Sequence, residues 1–337
     1  MKRYLGVDLH RTQFTVCTRH ENGRADLQQW AMKDLKRFAM KLRKEDELAL
    51  EATGNAQLFY DAVVKQVARV VVVNPNQFKV ISQSVKKTDR NDAALLALYL
   101  SKELLPEVRM KQPNERNVAQ LAGTRDLLVK QRSSLKTKIN NLLSSEGIEM
   151  KKESLSSKKA LARVLALPLS ILANAQLRVL VNQIHSLSQS IAELEKLIQE
   201  EGPKLTGHSN LLSIKGIGPL SAAVLLSVIG NVNDFADPGK LAAYLGVVPR
   251  ISNSNETERS GRITKQGNKL ARTTLVQCGL IAKKYSPYLQ QFYKRIQRRR
   301  GGGKANIALA RKLLGIIYYT LKKNWVFQDF PNFVLAS

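Results

Sequence analysis

The spacing of apolar residues changes character twice along the chain. Between residues 4 and 73 it has the short period of β-structure. Residues 4–9, 13–19 and 27–30 read as three strands, with Glu21-Asn22-Gly23 as the turn that brings the chain back for the third. A helix follows over 34–43, then a short apolar strand over 47–51, a helix over 56–67 and the β-branched run Val70-Val71-Val72-Val73. Valines without polar alternation predict a strand covered on both faces. The turn Asn74-Pro75-Asn76 precedes an Ala/Leu-rich helix headed by Thr88, Asp89 and Asp92. The order β-β-β-α-β-α-β-α predicts an α/β domain with a mixed sheet over residues 1–110.

From 113 to 201 the period becomes helical. Leu121, Leu128, Leu135 and Leu142 recur every seven residues, and Ile184, Leu187, Ile191, Leu194 and Ile198 follow a heptad seam, with a looser stretch at 151–159 between them. Such a pair can close on itself as a hairpin or join another chain. Two helices alone bury little core, so the expectation for 111–204 is an oligomerising coiled coil. Residues 205–337 read as mainly α. They include an apolar segment at 235–246, a polar Ser/Asn-rich loop at 249–268 and a mobile loop at Gly301-Gly302-Gly303. A last apolar helix at 307–321 precedes Trp325-Val326-Phe327, expected to dock on the core.

Charge then narrows the class. The 337 residues carry a formal net charge of +27, and residues 202–337 hold 21 Lys and Arg against 5 Asp and Glu. A polyanion is the natural partner, and nucleic acid comes first. With 44% hydrophobic residues the chain buries a real core and is no disordered tail. Cys17 and Cys278 make no disulfide framework, and no Cys/His cluster has zinc-ligand spacing. No signal-peptide or membrane-spanning segment is read, so the expected location is the cytoplasm, away from membranes.

Four carboxylates carry the candidate chemistry. Asp89 and Asp92, at i and i+3, share a helix face with Cβ atoms about 5–6 Å apart, near enough to serve one pair of divalent ions. Asp8 lies inside the first strand, where an unpartnered carboxylate is costly to bury. Glu51 closes the fourth strand, at the edge where open α/β sheets place ligands. Structural caps or hydrogen-bonded acids are the plain alternatives for each.

Further along, Lys215-Gly216-Ile217-Gly218-Pro219 resembles a helix-hairpin-helix turn, whose glycines and following helix start suit a phosphate. A tight turn between buried helices is the alternative. Tyr285, Tyr288, Phe292 and Tyr293 have the spacing of a core-facing helix side. Beside them Arg298, Arg299, Arg300 and Lys304 suit a phosphate backbone.

Three segments, Gly6-Val7-Asp8, Glu51-Ala52-Thr53-Gly54 and Lys87-Thr88-Asp89 followed by Asp92-Ala93, resemble the DEDD tetrad of the IS110 family of insertion-sequence transposases, which also includes the Piv DNA invertase. A second signature of that family resembles residues 249–267: a serine five residues after a proline, then Gly261-Arg262-Ile263-Thr264-Lys265. Counted from Pro249 the serine is Ser254. Asn255 stands where the family commonly has glycine, and Ser252 lies nearby.

The resemblance implies a ribonuclease H/RuvC-like N-terminal domain at 1–110, a helical coiled-coil region at 111–204 and a C-terminal transposase domain at 205–337. It implies two Mg²⁺ ions, replaceable by Mn²⁺, on Asp8, Glu51, Asp89 and Asp92. Ser254 would be the nucleophile, giving a 5′-phosphoserine link. Phosphate contacts are expected from Lys87, Lys215, Gly216, Gly218, Arg259, Arg262, Lys265, Arg298, Arg299, Arg300 and Lys304. Implied partners are donor and target duplex DNA, a structured non-coding guide RNA, and further copies of the chain as a dimer or tetramer. The residues alone leave open a RuvC-type metal-dependent junction endonuclease, and a non-catalytic nucleic-acid-binding protein.

Overall fold

A computed structural model describes residues 2–75, 78, 88–149, 155–254 and 257–327. The chain divides into two compact units, Met1–Met110 and Lys111–Ser337.

The first unit is built on five strands, β1 (Arg3–Leu9), β2 (Gln13–His20), β3 (Ala25–Ala31), β4 (Glu47–Glu51) and β5 (Arg69–Val73), in the order β3-β2-β1-β4-β5. The first three are antiparallel neighbours, whereas β1 pairs with β4 and β4 with β5 in parallel. This is the expected mixed sheet.

Alternation along the strands sorts their side chains between two covers. Leu5, Val7, Phe14, Val16, Leu48, Leu50, Val70 and Val72 pack with α1 (Leu35–Ala39) and α2 (Ala56–Val63). Phe14 is the hub of that core, set edge-on to Phe38 and Phe59 with centroids 5.2 and 5.1 Å away. On the opposite face Ala49, Val71 and Val73 meet Leu96 and Leu100 of α3 (Asp89–Ser101). The valine run is thus buried on both sides, as its sequence predicts. At the sheet end away from the candidate site, buried Asp46 accepts two bonds from Arg3, at 2.8 and 2.6 Å, and one from the Arg43 amide.

Helix α1 is shorter than expected. Only Leu35, Phe38 and Ala39 supply a buried face, and a 3-10 turn over Met32–Asp34 precedes them.

In the second unit α4 (Pro113–Ser145) begins with Pro113 and a capping box between Gln112 and Glu115. It packs antiparallel on α6 (Ile171–Glu201), with the short α5 (Lys158–Leu165) laid against them. Arg125 meets Glu195 at 2.5 Å, and Arg132 donates to Ser188 at 3.1 Å, so the seam advances by seven residues on each helix between these contacts. At one end Ile139, Leu143, Leu161, Val164, Leu177 and Val181 form a small core. At the other, Val118, Ala122 and Ile198 join the main core of the unit.

The centre of that main core is α8 (Pro219–Ile229), in which every residue from Ala222 onward is buried, the pattern of a helix enclosed on all sides. Around it lie α7 (His208–Leu212), α9 (Pro238–Tyr244), α10 (Lys269–Tyr285) and α11 (Pro287–Lys322).

Two expectations change here. Residues 249–263 are not a loop but a hairpin of β6 (Pro249–Ser254) and β7 (Thr257–Ile263). Its strands satisfy each other's backbone groups without apolar alternation, so the usual strand signal is missing. The base of the hairpin is fastened by Thr264 N–H donating to the Val248 carbonyl and by Arg272 donating to the Leu245 carbonyl, at 2.9 and 3.0 Å.

Nor is the glycine triplet a loop: α11 is two helical segments that meet at a kink at Gly301, whose backbone, at φ +79°, is not helical. Beyond the kink Ala305, Leu309, Ala310, Leu313 and Leu314 are buried, and this packing outweighs the roughly 1 kcal/mol helix penalty of each glycine. The segment Trp325-Val326-Phe327 docks as expected, with Asn210 donating to the Trp325 carbonyl at 2.8 Å and Phe327 N–H donating to Ser213 at 2.7 Å.

Candidate functional site

Close approach of a strand to a helix assembles the carboxylates. Gly6 of β1 faces α3, and a Cβ there would lie inside contact distance of the Ala93 carbonyl and the Ala97 nitrogen, and 2.9 Å from the Leu96 Cβ. Only glycine allows this packing. Two residues further along β1, on the same face, is Asp8. On α3, Asp92 directly precedes Ala93 and Asp89 lies one turn before it, in a first turn held by an N-cap in which Thr88 accepts from Asn91 N–H at 3.3 Å.

The acids feel one another. Burial pushes the Asp8 carboxyl above its ordinary range, the nearby His10 opposes this, and the charges of Asp89 and Asp92 add to the rise. Asp92 is buried, Asp8 is mostly so and Asp89 is half-buried.

Glu51 ends the neighbouring parallel strand. The register pairs Val7 with Leu50, so Glu51 falls beside Asp8 at the same sheet end and on the α3 face.

His10 is the residue that sequence reading missed. Its Nε2 stands 3.2 Å from Asp8 Oδ2 and 3.2 Å from Asp89 Oδ1, and the donor atoms of the three residues lie within 4.8 Å of one another. The available signal was the Asp-x-His spacing at a strand end, which puts both side chains on one face. The set fits a divalent cation. Carboxylate oxygens that repel one another in a partly desolvated place are what such an ion neutralises, and one imidazole nitrogen is compatible with it.

The sequence-predicted residues of the second unit fall in three places. Ser254 is the last residue of β6, paired through its backbone with Thr257, and Ser252 pairs with Arg259. Gly216, at φ +108°, lies against α10, where a Cβ would come within 2.7 Å of the Ala282 nitrogen. The glycine is thus accounted for by packing and by its backbone angle. Lys215 and Gly218 are exposed, with nothing within 4 Å of the place a Gly218 Cβ would take. Lys87 lies outside the described residues.

The basic residues converge on a groove of about 1890 Å³. Its walls are α11, the base of the β6–β7 hairpin, the start of α9 and the terminal segment through Phe327. Arg262 and Lys265 come from the hairpin side, and Arg295, Arg299, Arg300, Lys304, Arg311 and Lys312 from α11. Among the described residues, those eight cations share the lining with no acid. Arg298 is on α11 but does not line the groove. Tyr288, Phe292 and Tyr293 pack against the core, as their spacing predicts, and Lys312 lies over the Tyr288 ring at 5.2 Å; Tyr285 does not, being 55% exposed at the last residue of α10, before the chain turns into α11 and the spacing is broken.

No helix among the described residues is long and apolar enough to cross a membrane.

Against this geometry, comparison with known proteins gives a consistent result. Residues 5–147 match a family model for DEDD transposases of the IS110 type, and residues 208–294 match the model described as Transposase IS116/IS110/IS902 family. The transposase for insertion sequence element IS1111A of Coxiella burnetii is 26% identical over 328 residues, covering 95% of this chain and 90% of the relative. The pilin gene-inverting protein of Moraxella lacunata is 27% identical over 348 residues, covering 96% and 97%. A probable family 20 transposase of Pseudomonas aeruginosa is 26% identical over 288 residues, covering 82% and 84%.

Proposed function

We propose that this chain, which carries both domains of the IS116/IS110/IS902 transposase family and is an enzyme that cuts and rejoins DNA, does so with Ser254 as nucleophile and the cluster Asp8, Glu51, Asp89 and Asp92 as the holder of divalent metal. The observation that supports the reading is the group Asp8, His10 and Asp89 at one sheet end beside the Gly6–α3 contact, with Glu51 at the end of the adjoining strand and Asp92 on the same helix as Asp89.

Bound Mg²⁺ would polarise the scissile phosphate and stabilise the departing oxygen. The chain supplies the rest. Asp8, Asp89 and Asp92 are mutually repelling groups on fixed backbone, so they are organised before the cation arrives and gain most from it. Serine is a weak nucleophile that needs such activation. Its Oγ replaces the 3′ oxygen on phosphorus, and the 3′-hydroxyl leaves with the serine proton. Rejoining is the reverse. Arg262 and Lys265, on the strand that pairs with β6 and just past it, are placed along the chain to hold the phosphate during exchange.

The partners follow from charge and division of labour. Duplex donor and target DNA are the substrates, and a structured guide RNA supplies sequence recognition that a surface of phosphate-contacting cations does not. The working form is a dimer or tetramer, with Ser254 of one copy meeting the carboxylates of another. Ile171 and Leu172, 89% and 76% exposed at the start of α6, are apolar residues available to such an assembly.

A suicide DNA substrate tests the reading. Wild-type protein with Mg²⁺ should form a covalent adduct that maps to Ser254 by mass spectrometry, and Ser254→Ala and Asp89→Asn should each form none. Mixing the two variants should restore cleavage. An adduct on Ser252, or cleavage by Ser254→Ala, would overturn the choice of nucleophile; no rescue in a confirmed mixed oligomer would overturn the shared site.

A further inference from the structure

The groove of the second unit is more than a cationic surface. Beside its eight Lys and Arg residues the lining includes Tyr319 and Trp325, aromatic side chains 48% and 54% exposed, and Val326, 68% exposed. Its volume of about 1890 Å³ exceeds the roughly 300–1,000 Å³ of small-molecule sites, which points to a polymer.

Duplex DNA presents phosphates outward and keeps its bases stacked inside. Against a duplex, Trp325 and Tyr319 would trade water for a sugar-phosphate surface and gain little. An unpaired strand offers both surfaces at once, phosphates for the cations and base faces for the rings, the combination that single-strand binding sites use. A second copy of this chain is a poor occupant, because a protein of net charge +27 would approach the eight cations that the described lining presents.

We propose that the groove between α11 and the β6–β7 hairpin base binds a strand of nucleic acid with unpaired bases, stacked on Trp325 and Tyr319. The inference rests on the nucleic-acid reading above and specifies the form of ligand that this unit takes. Arg295, Arg311 and Lys312 join the phosphate-contacting set, which sequence reading confined to Arg262, Lys265, Arg299, Arg300 and Lys304 on this surface. The hairpin that carries Ser254 starts at the wall of the groove, at Pro249. A strand held here therefore runs next to the element that bears the nucleophile.

The chain has two tryptophans, Trp30 and Trp325. In a Trp30→Phe, Asp89→Asn protein, which keeps the groove and does not cut, emission reports on Trp325 alone. Titration with a 15-nucleotide oligo(dT) should quench it, and a duplex of the same length, bound to saturation, should leave it nearly unchanged. Trp325→Ala should weaken oligo(dT) binding about tenfold, the effect of losing one stacking platform, and duplex binding less than twofold. The side chain is solvent-facing and its backbone carbonyl keeps the bond from Asn210, so the variant should fold; Tyr319→Ala gives an independent second reading.

Equal quenching by duplex, or oligo(dT) binding that neither variant alters, would overturn the proposal. The two readings separate cleanly. Covalent adduct formation without Trp325 quenching sinks the groove alone, and quenching without an adduct sinks the serine mechanism alone.

Discussion

The backbone of Gly6 runs so close to the Ala93 carbonyl that no Cβ fits between them. That contact sets the distance from β1 to α3, and so the distance from Asp8 to Asp89 and Asp92. Gly6→Ala should therefore act on stability and activity together. Overpacking typically costs about 1–3 kcal/mol, and because backbone atoms are the obstacle here, a loss of about 3 kcal/mol is expected, with cleavage lost in protein that remains folded. Gly123→Ala in α4, where a Cβ meets nothing within 4 Å, is the control and should not destabilise. Denaturant melts and a cleavage assay decide it; an active, fully stable Gly6→Ala protein would refute the packing argument.

Asp8 gives a prediction in pH and metal. Its raised pKa means that the folded protein holds this proton more tightly than the unfolded chain does. The stability this contributes is fully present below the unfolded value near 3.8 and is lost as pH rises through the higher folded value. In EDTA at pH 7, Asp8→Asn should melt above wild type, and the gap should close toward pH 4. With Mg²⁺ added the order should reverse, because only wild type gains by binding the ion. Melting curves that ignore both pH and Mg²⁺ would remove Asp8 from a metal site.

His208 shifts the other way. It is buried at the start of α7, and desolvation lowers its pKa below the usual 6.5, with an opposing hydrogen bond to the Pro219 backbone. The unfolded chain thus binds the proton first, and stability falls as pH drops below 6.5 toward the folded value. Urea midpoints at pH 7.5 and 5.5 should show a smaller loss for His208→Gln than for wild type. An identical loss would assign the acid sensitivity to other groups.

The three consecutive arginines are not equivalent. Arg299 and Arg300 line the groove and Arg298 does not. Replacing the first two with Ala should shallow the dependence of binding on salt by up to about two units, whereas Arg298→Ala should change it by less than about half a unit. A larger effect from Arg298→Ala than from the pair would mean that nucleic acid approaches another side of α11.

β1, β4 and β5 were legible as short apolar runs and the valines of β5 announce burial on both faces, whereas the polar, largely exposed β3 was legible from the Glu21-Asn22-Gly23 turn before it. Asp8, Asp89 and Asp92 were legible as a group because acids inside or at the start of apolar elements need a reason. His10 was not, since its one signal, the two-residue spacing from Asp8, is shared by many histidines just past a strand end and gains meaning only when α3 brings Asp89 beside it. The β6–β7 hairpin escaped because its ladder is polar, and the helix that resumes just after the kink at Gly301 because it is held by tertiary contacts rather than by propensity. The groove could not be read from the sequence, because its walls come from segments spread over almost 90 residues and its charge matters only once they meet.

The seam of α4 and α6 has a metric consequence. At 1.5 Å per residue, the 31 residues of α6 extend about 46 Å, somewhat more than the 34–36 Å of one turn of duplex DNA. Arg125 with Glu195 and Arg132 with Ser188 repeat at seven-residue intervals. The pair can therefore be lengthened or shortened without breaking its facing only in steps of seven residues on both helices, about 10 Å each. In DNA terms the stalk is a ruler graduated in units of roughly three base pairs.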